Sequence, residues 1–183
     1  MIQPTQGILL IAEPFLKDPN FMRTVVFLCE HQEQGSFGFV LNKKYEYTLD
    51  ELIISMEGYP VPVYNGGPVQ KDTVHFLHQY PDLIPDSYPV SNKIYWGGNF
   101  ETAIALIKTN SIDINKIKFF IGYSGWGEKQ LENEIKQKSW LTVDATRKLV
   151  FETAAEEVWK ESLQHLGGDY SMLVNYPVDP QLN

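Results

Sequence analysis

Phe119-Phe120-Ile121-Gly122-Tyr123-Ser124-Gly125-Trp126-Gly127 carries a strongly apolar run straight into a glycine-studded aromatic segment. Residues 118–123 read as a buried strand and the glycine-rich continuation as a turn, since three glycines in six residues are costly in chain entropy. Such a turn persists where the backbone must come close to something, either the fold's own core or a ligand. A mostly polar helix over about residues 128–138 follows. Leu131 and Ile135 are spaced for packing there, and Glu134 and Lys138 form a supporting pair one turn apart.

Working outward, Gly7-Ile8-Leu9-Leu10-Ile11-Ala12 is a continuous apolar run consistent with a strand buried on both faces. Residues 24–29 and 37–41 read as two further strands, a hairpin with its loop near 30–35. Thr48-Leu49-Asp50-Glu51 is a capping box that opens a short helix over about 49–56. Residues 61–64 lead into Asn65-Gly66-Gly67-Pro68, a turn or bulge, and strands follow at 74–77 and 93–96. Asn99 caps a helix over about 100–109 with Ala103, Ile104 and Ile107 on one face. A second capping box, Thr153-Ala154-Ala155-Glu156, opens a last helix that buries Val158, Trp159, Leu163 and Leu166 and stops at Gly167-Gly168. Residues 170–174 read as a final strand. Paired early strands with scattered helices fit an α+β class with a mixed sheet better than strict βαβ alternation.

With 183 residues, the chain is expected to form one domain spanning 1–183. A hydrophobic content of 43% is enough to fill a sizeable core. No window approaches the ~18 continuous apolar residues that a membrane span needs. The opening residues lack the basic region and cleavage site of a signal peptide, so a cytoplasmic location without membrane association is expected. The lone Cys29 has no intrachain disulfide partner, which fits a reducing compartment. Net charge is −8, and the longest basic runs are the pairs Lys43-Lys44 and Arg147-Lys148. Nucleic-acid affinity rests on clustered cations, so the sequence argues against direct DNA or RNA binding.

Ser124 invites comparison with the nucleophile elbow, but Trp126 stands where its last glycine belongs. Neither a dinucleotide-binding nor a phosphate-binding glycine loop is present. The turn before residue 128 feeds a helix start where an anion could sit, although Glu128 can fill that role itself. His75 and His78 lie three apart on a strand, face opposite ways and cannot chelate one metal. No metal or cofactor is expected. Arg23, His31, Asn42 and His78 flank apolar strands, where binding groups gather on a rigid scaffold. Each also has a plainer reading as a surface charge, loop cap or turn amide.

The ordered set Gly7–Ala12 with Pro14, Asp18-Pro19-x-Phe21-x-Arg23-Thr24-Val25-Val26, His31, Gly38-Phe39-Val40-Leu41-Asn42, Gly66-Gly67-Pro68-Val69, Leu77-His78 and Gly122-Tyr123-Ser124-Gly125-Trp126 resembles the AlgH/YqgE family. Gln130-Leu131, Glu134-Ile135, Trp140, Trp159 and Leu166-Gly167 extend the match over nearly the whole chain. The resemblance implies a small bacterial cytosolic protein whose strongly bent, mixed sheet makes a partial barrel flanked by three to four helices. It implies no particular reaction; one branch is labelled a transcriptional regulator of alginate synthesis. Ser124 replaces a common alanine, Lys43-Lys44 replaces a proline after Asn42, and Lys71-Asp72-Thr73 replaces a frequent arginine.

The leading expectation is therefore a binding module for a small polar or anionic ligand or a protein partner. Its site would comprise Arg23, His31, Asn42, Gly66, Gly67, Pro68, His78, Tyr123, Ser124 and Trp126, with Gln130 and Glu134 on the same rim. The alternatives are a transcriptional regulator acting on DNA and an enzyme pairing His31 or His78 with a carboxylate such as Glu134.

Overall fold

The computed structural model describes residues 1–177. Its elements are β1 (Ile8–Ala12), β2 (Val25–Gln32), β3 (Gly35–Val40), α1 (Leu49–Leu52), β4 (Val63–Asn65), β5 (Val69–His78) and β6 (Tyr88–Ser91). They continue with β7 (Ile94–Trp96), α2 (Phe100–Lys108), β8 (Ile117–Gly127), α3 (Gln130–Lys136), β9 (Trp140–Asp144), α4 (Ala155–Leu166) and α5 (Tyr170–Leu173). One sheet runs β6-β7-β5-β8-β3-β2-β1-β9, and β4 joins β8 off this path. The β4–β8 pair is parallel; the other ladders are antiparallel. The class is α+β with a mixed sheet.

The sheet curls without closing. Across the seam, side chains take the place of a ladder. Gln6 Nε2 donates to Val90 O at 3.1 Å, Ser91 Oγ to Gly7 O at 3.1 Å, and Asn92 Nδ2 to Ala145 O at 2.7 Å. The curl encloses a core containing Phe27, Phe39, Leu77 and Phe120, which α4 covers with Val158, Trp159 and Leu163. The outer face of β4, β5 and β8 packs on α1 and α2 through Phe76, Phe119, Leu49 and Ala103. On the outer face of β1 to β3, Leu10, Val26 and Leu28 pack with Trp126, Leu131 and Trp140.

Several local expectations change. Residues 122–127 are not a turn; they continue β8, pairing Gly125 with Phe37 and Gly127 with Gly35. The strand pivots at Gly122, whose φ is +69°. A Cβ there would lie 2.6 Å from Gly67 O, so this glycine answers to the fold's own backbone. The helix expected over 49–56 breaks at extended Ile53 into α1 and a 3₁₀ turn, Ile54–Met56. Glu51 does cap it, accepting from the Thr48 N–H at 2.8 Å. The Thr153 box does not form: Ala154 is the cap residue, and Thr153 Oγ1 donates to Glu161 at 3.2 Å. Residues 170–173 are helical rather than extended. β6 and β9 carry no clear alternation and were not legible beforehand.

Lys118 is the charge most deeply placed in this framework. Its Nζ donates to Val150 O at 3.1 Å and stands 4.1 Å above the Tyr64 ring. Burial pushes its pKa down from 10.5 to about 7. No helix among the described residues is long and apolar enough to cross a membrane.

Candidate functional site

Three of the expected site residues, Trp126, Gln130 and Glu134, come together in one network. Trp126 Nε1 and Trp140 Nε1 both donate to Glu134 Oε2, at 2.9 and 2.8 Å. Gln130 Nε2 donates to Glu134 Oε1 at 2.9 Å, while Gln130 Oε1 accepts from the Gly127 N–H at 3.0 Å. The i,i+4 spacing sets Gln130 and Glu134 on one face of α3, and the network ties that helix to β8 and β9. Its polar atoms are already partnered. The N–H group of Gly127 is occupied by Gln130, and Glu128 pairs with Lys129 at 3.8 Å.

The other candidates disperse. Asn42 spans the start of β2, accepting from Val25 N–H and donating to Arg23 O, both at 2.9 Å. Arg23 lies 4.7 Å over the Trp159 ring and donates to Tyr176 O. His78 is fully buried. Its Nδ1 accepts from Tyr80 N–H at 3.0 Å, so Nε2 carries the proton and donates to Gly97 O at 2.8 Å. Burial pushes its pKa down, opposed by the Gly97 hydrogen bond. Ser124 Oγ is buried and donates to Gly66 O at 3.0 Å. Gly67 and Pro68 border a small hollow of about 250 Å³ with Lys43, Lys44 and Lys71. His31 bonds Ser36 Oγ through Nδ1 at 2.7 Å and sets Nε2 3.6 Å from Glu132. The carboxylate facing His31 is thus Glu132, whereas the Glu134 oxygens are held by Trp126, Trp140 and Gln130.

At the mouth of the curl, where β8 runs past the β2–β3 hairpin, lies a half-open hollow of about 640 Å³. Tyr123 and Trp126 are the expected site residues that line it. Phe37 and Trp96 also line it, although strand aromatics read as core, as does His75, which the sequence offered only as a rejected metal ligand. Phe37 touches Trp96 edge-to-face at 4.8 Å and Tyr123 at 6.0 Å. His75 stands 6.1 Å from Tyr123 and 5.3 Å from Phe39. Glu30 and the amides Gln32 and Gln34 supply the rim; neither lysine nor arginine lines the space.

Thr73 Oγ1 donates to Gln70 O at 2.8 Å, so it accepts from His75 Nε2–H at 3.0 Å and leaves Nδ1 as an acceptor. Burial pushes the His75 pKa down and favours this neutral ring. Cys29 lies in the core beneath the hairpin, where burial first and Glu30 second push its thiol pKa well up. It stays protonated and unreactive. His75 and His78 face opposite sides of β5, as their spacing requires. Among the described residues, no group of three or more His, Cys, Asp or Glu side chains is placed to hold a metal ion.

The AlgH-like family model, DUF179, matches residues 9–171. A UPF0301 protein of Chlorobium limicola is 45% identical over 177 residues, spanning 97% of this chain and 95% of its own. A UPF0301 protein of Cytophaga hutchinsonii is 41% identical over 180 residues, spanning 98% and 99%. The solution structure of the AlgH protein from Pseudomonas aeruginosa matches with a TM-score of 0.75 at 29% identity, over 97% of each chain. A Corynebacterium diphtheriae crystal structure matches in fold, with a TM-score of 0.78 at 20% identity over 96% of this chain and 94% of that one. On the family match over most of its length and on these relatives, the chain belongs to the AlgH-like family.

Proposed function

We propose that the chain is a cytoplasmic binding module that receives a small polar ligand with a planar apolar body in the aromatic hollow. The observation that carries this reading is the set of partly exposed rings of Phe37, Trp96 and Tyr123, drawn from three strands around one open space. Aromatic walls with a few placed polar groups are the usual composition of a small-molecule site. Glu30 and the His75 acceptor favour a neutral or cationic ligand that offers hydrogen-bond donors. An anion would meet the Glu30 carboxylate with no cation to offset it.

A thermal-shift screen of metabolites tests this reading. A binder should raise Tm by several degrees in wild type and fail to do so in Trp96→Ala and Tyr123→Ala. A screen without binders, or one whose binders act equally on both variants, overturns it.

A further inference from the structure

A second hollow, of about 740 Å³, opens on the seam of the curled sheet. It lies at the far ends of the strands that build the aromatic site. Gln79 follows β5, Lys116 precedes β8, Asn92 and Lys93 form the β6–β7 turn, and residues 145–148 follow β9. The two spaces share no lining residue.

We infer that this seam hollow is a binding site for a small ligand carrying two or more phosphate groups. Lys93, Lys116, Arg147 and Lys148 converge on it against one carboxylate, Glu152, in a chain whose net charge is −8. Among the described residues, Lys148 is the one member of the four with an acidic partner, Glu161 at 3.4 Å. The other three cations have no carboxylate within ion-pair distance in the described chain, so their charge is available to an anion. Lys93 and Lys116 are distant in sequence from the Arg147-Lys148 pair, and the seam brings the four together.

The hollow is held in shape. Asn92 Nδ2 clamps the β6–β7 turn to Ala145 O at 2.7 Å, which holds Lys93 against the Arg147 segment. Asn92 and Lys93 have φ of 48° and 61°, the conformation of a tight hairpin turn whose second position ordinarily favours glycine. A lysine occupies that position despite the preference. On the other wall, the π-helical turn Lys148–Glu152 is anchored from inside by Lys118 Nζ on Val150 O at 3.1 Å.

Lining chemistry defines the ligand class. Beside the cations stand the amides of Gln79 and Asn92 and the Thr146 hydroxyl, and Ala145 is the one apolar residue in the lining. Arg147 offers a planar fork suited to two phosphate oxygens, and the lysines supply point charges. With no aromatic ring in the wall, there is no platform on which bases of a single strand would stack. The surface therefore recognises clustered phosphates on a compact molecule.

Inorganic pyrophosphate and orthophosphate, titrated separately into the full chain at low salt and followed by ¹H–¹⁵N NMR, test the inference. Pyrophosphate should give saturable shifts confined to residues around 79, 92–93, 116 and 145–152, with orthophosphate roughly tenfold weaker or more. Arg147→Gln and Lys93→Gln should each weaken pyrophosphate by about tenfold, Glu152→Gln should tighten it, and exposed Lys17→Gln should leave it unchanged. The spectra also report that each variant is folded. Non-saturating shifts, equal losses in Lys17→Gln, or tighter binding of a DNA duplex with shifts spread beyond the hollow would each overturn the assignment.

Discussion

Phe37 and Trp96 meet edge-to-face with ring centroids 4.8 Å apart, although β5 and β8 lie between the strands that carry them. Three strand spacings in a flat sheet would hold them roughly 14 Å apart. Their contact therefore measures the curl, and that curl creates the aromatic hollow. Everything proposed for that site depends on the bend being built into the chain.

Gly122 is the pivot, and its neighbour Gly125 provides the contrast. At Gly122 an added methyl meets Gly67 O at 2.6 Å with φ at +69°, whereas at Gly125 the nearest atom is 3.5 Å away. Gly122→Ala should destabilise the fold by about 2–4 kcal/mol, and Gly125→Ala by less than about 1 kcal/mol. Urea unfolding of the two variants checks this. Equal costs would show that Gly122 is not the pivot of the bend.

Glu134 holds two buried indoles, with Trp126 5% and Trp140 2% exposed. Glu134→Ala leaves both N–H groups without their acceptor, which should cost about 2–4 kcal/mol. Glu134→Gln keeps one acceptor oxygen and should cost less. Chemical denaturation followed by tryptophan fluorescence separates the two. A Glu134→Ala variant as stable as wild type would show that water replaces the carboxylate.

Lys118 sets a pH dependence. The unfolded chain keeps its proton up to the ordinary 10.5, and the folded chain only to about 7. Between those values the unfolded state binds more protons, so wild-type stability rises with pH through this window, by up to about 5 kcal/mol. Below about 7 the cost of the buried charge is felt in full. Lys118→Met should be more stable than wild type near pH 6, and its advantage should shrink as pH rises toward 10. Unfolding free energies of both proteins across that range check the slope. Parallel curves would contradict it.

Much of the fold was legible because the strands at residues 7–12, 24–29 and 37–41 are dense apolar runs and Asn99 is an unambiguous cap. The bend was not legible. Glycines that read as a turn at 122–127 instead let a strand change direction while remaining paired, a tertiary demand that local propensity does not encode. Helical spacing placed Gln130 and Glu134 on one face, and both bond in the Trp126 network, but neither lines the aromatic hollow. Asn42 and His78 carry the right chemistry, but their polar atoms are taken up by backbone groups of their own and neighbouring segments. Phe37 and Trp96 were missed because an aromatic in a strand reads as core until the curl leaves its edge open. For the buried charge one signal was present: Lys118 stands at the start of an otherwise apolar run.

Phe37, Trp96 and Tyr123 are proposed to form the wall of a ligand site. A ¹H–¹⁵N NMR metabolite screen that follows the Trp96 indole together with the backbone of residues 34–37 and 123–126 tests it most directly. The expected outcome is a saturable ligand whose shifts cluster on these groups and vanish in Tyr123→Ala while the rest of the spectrum is retained. A ligand that shifts other surfaces and spares these groups, or a full screen that leaves them unmoved, would contradict it.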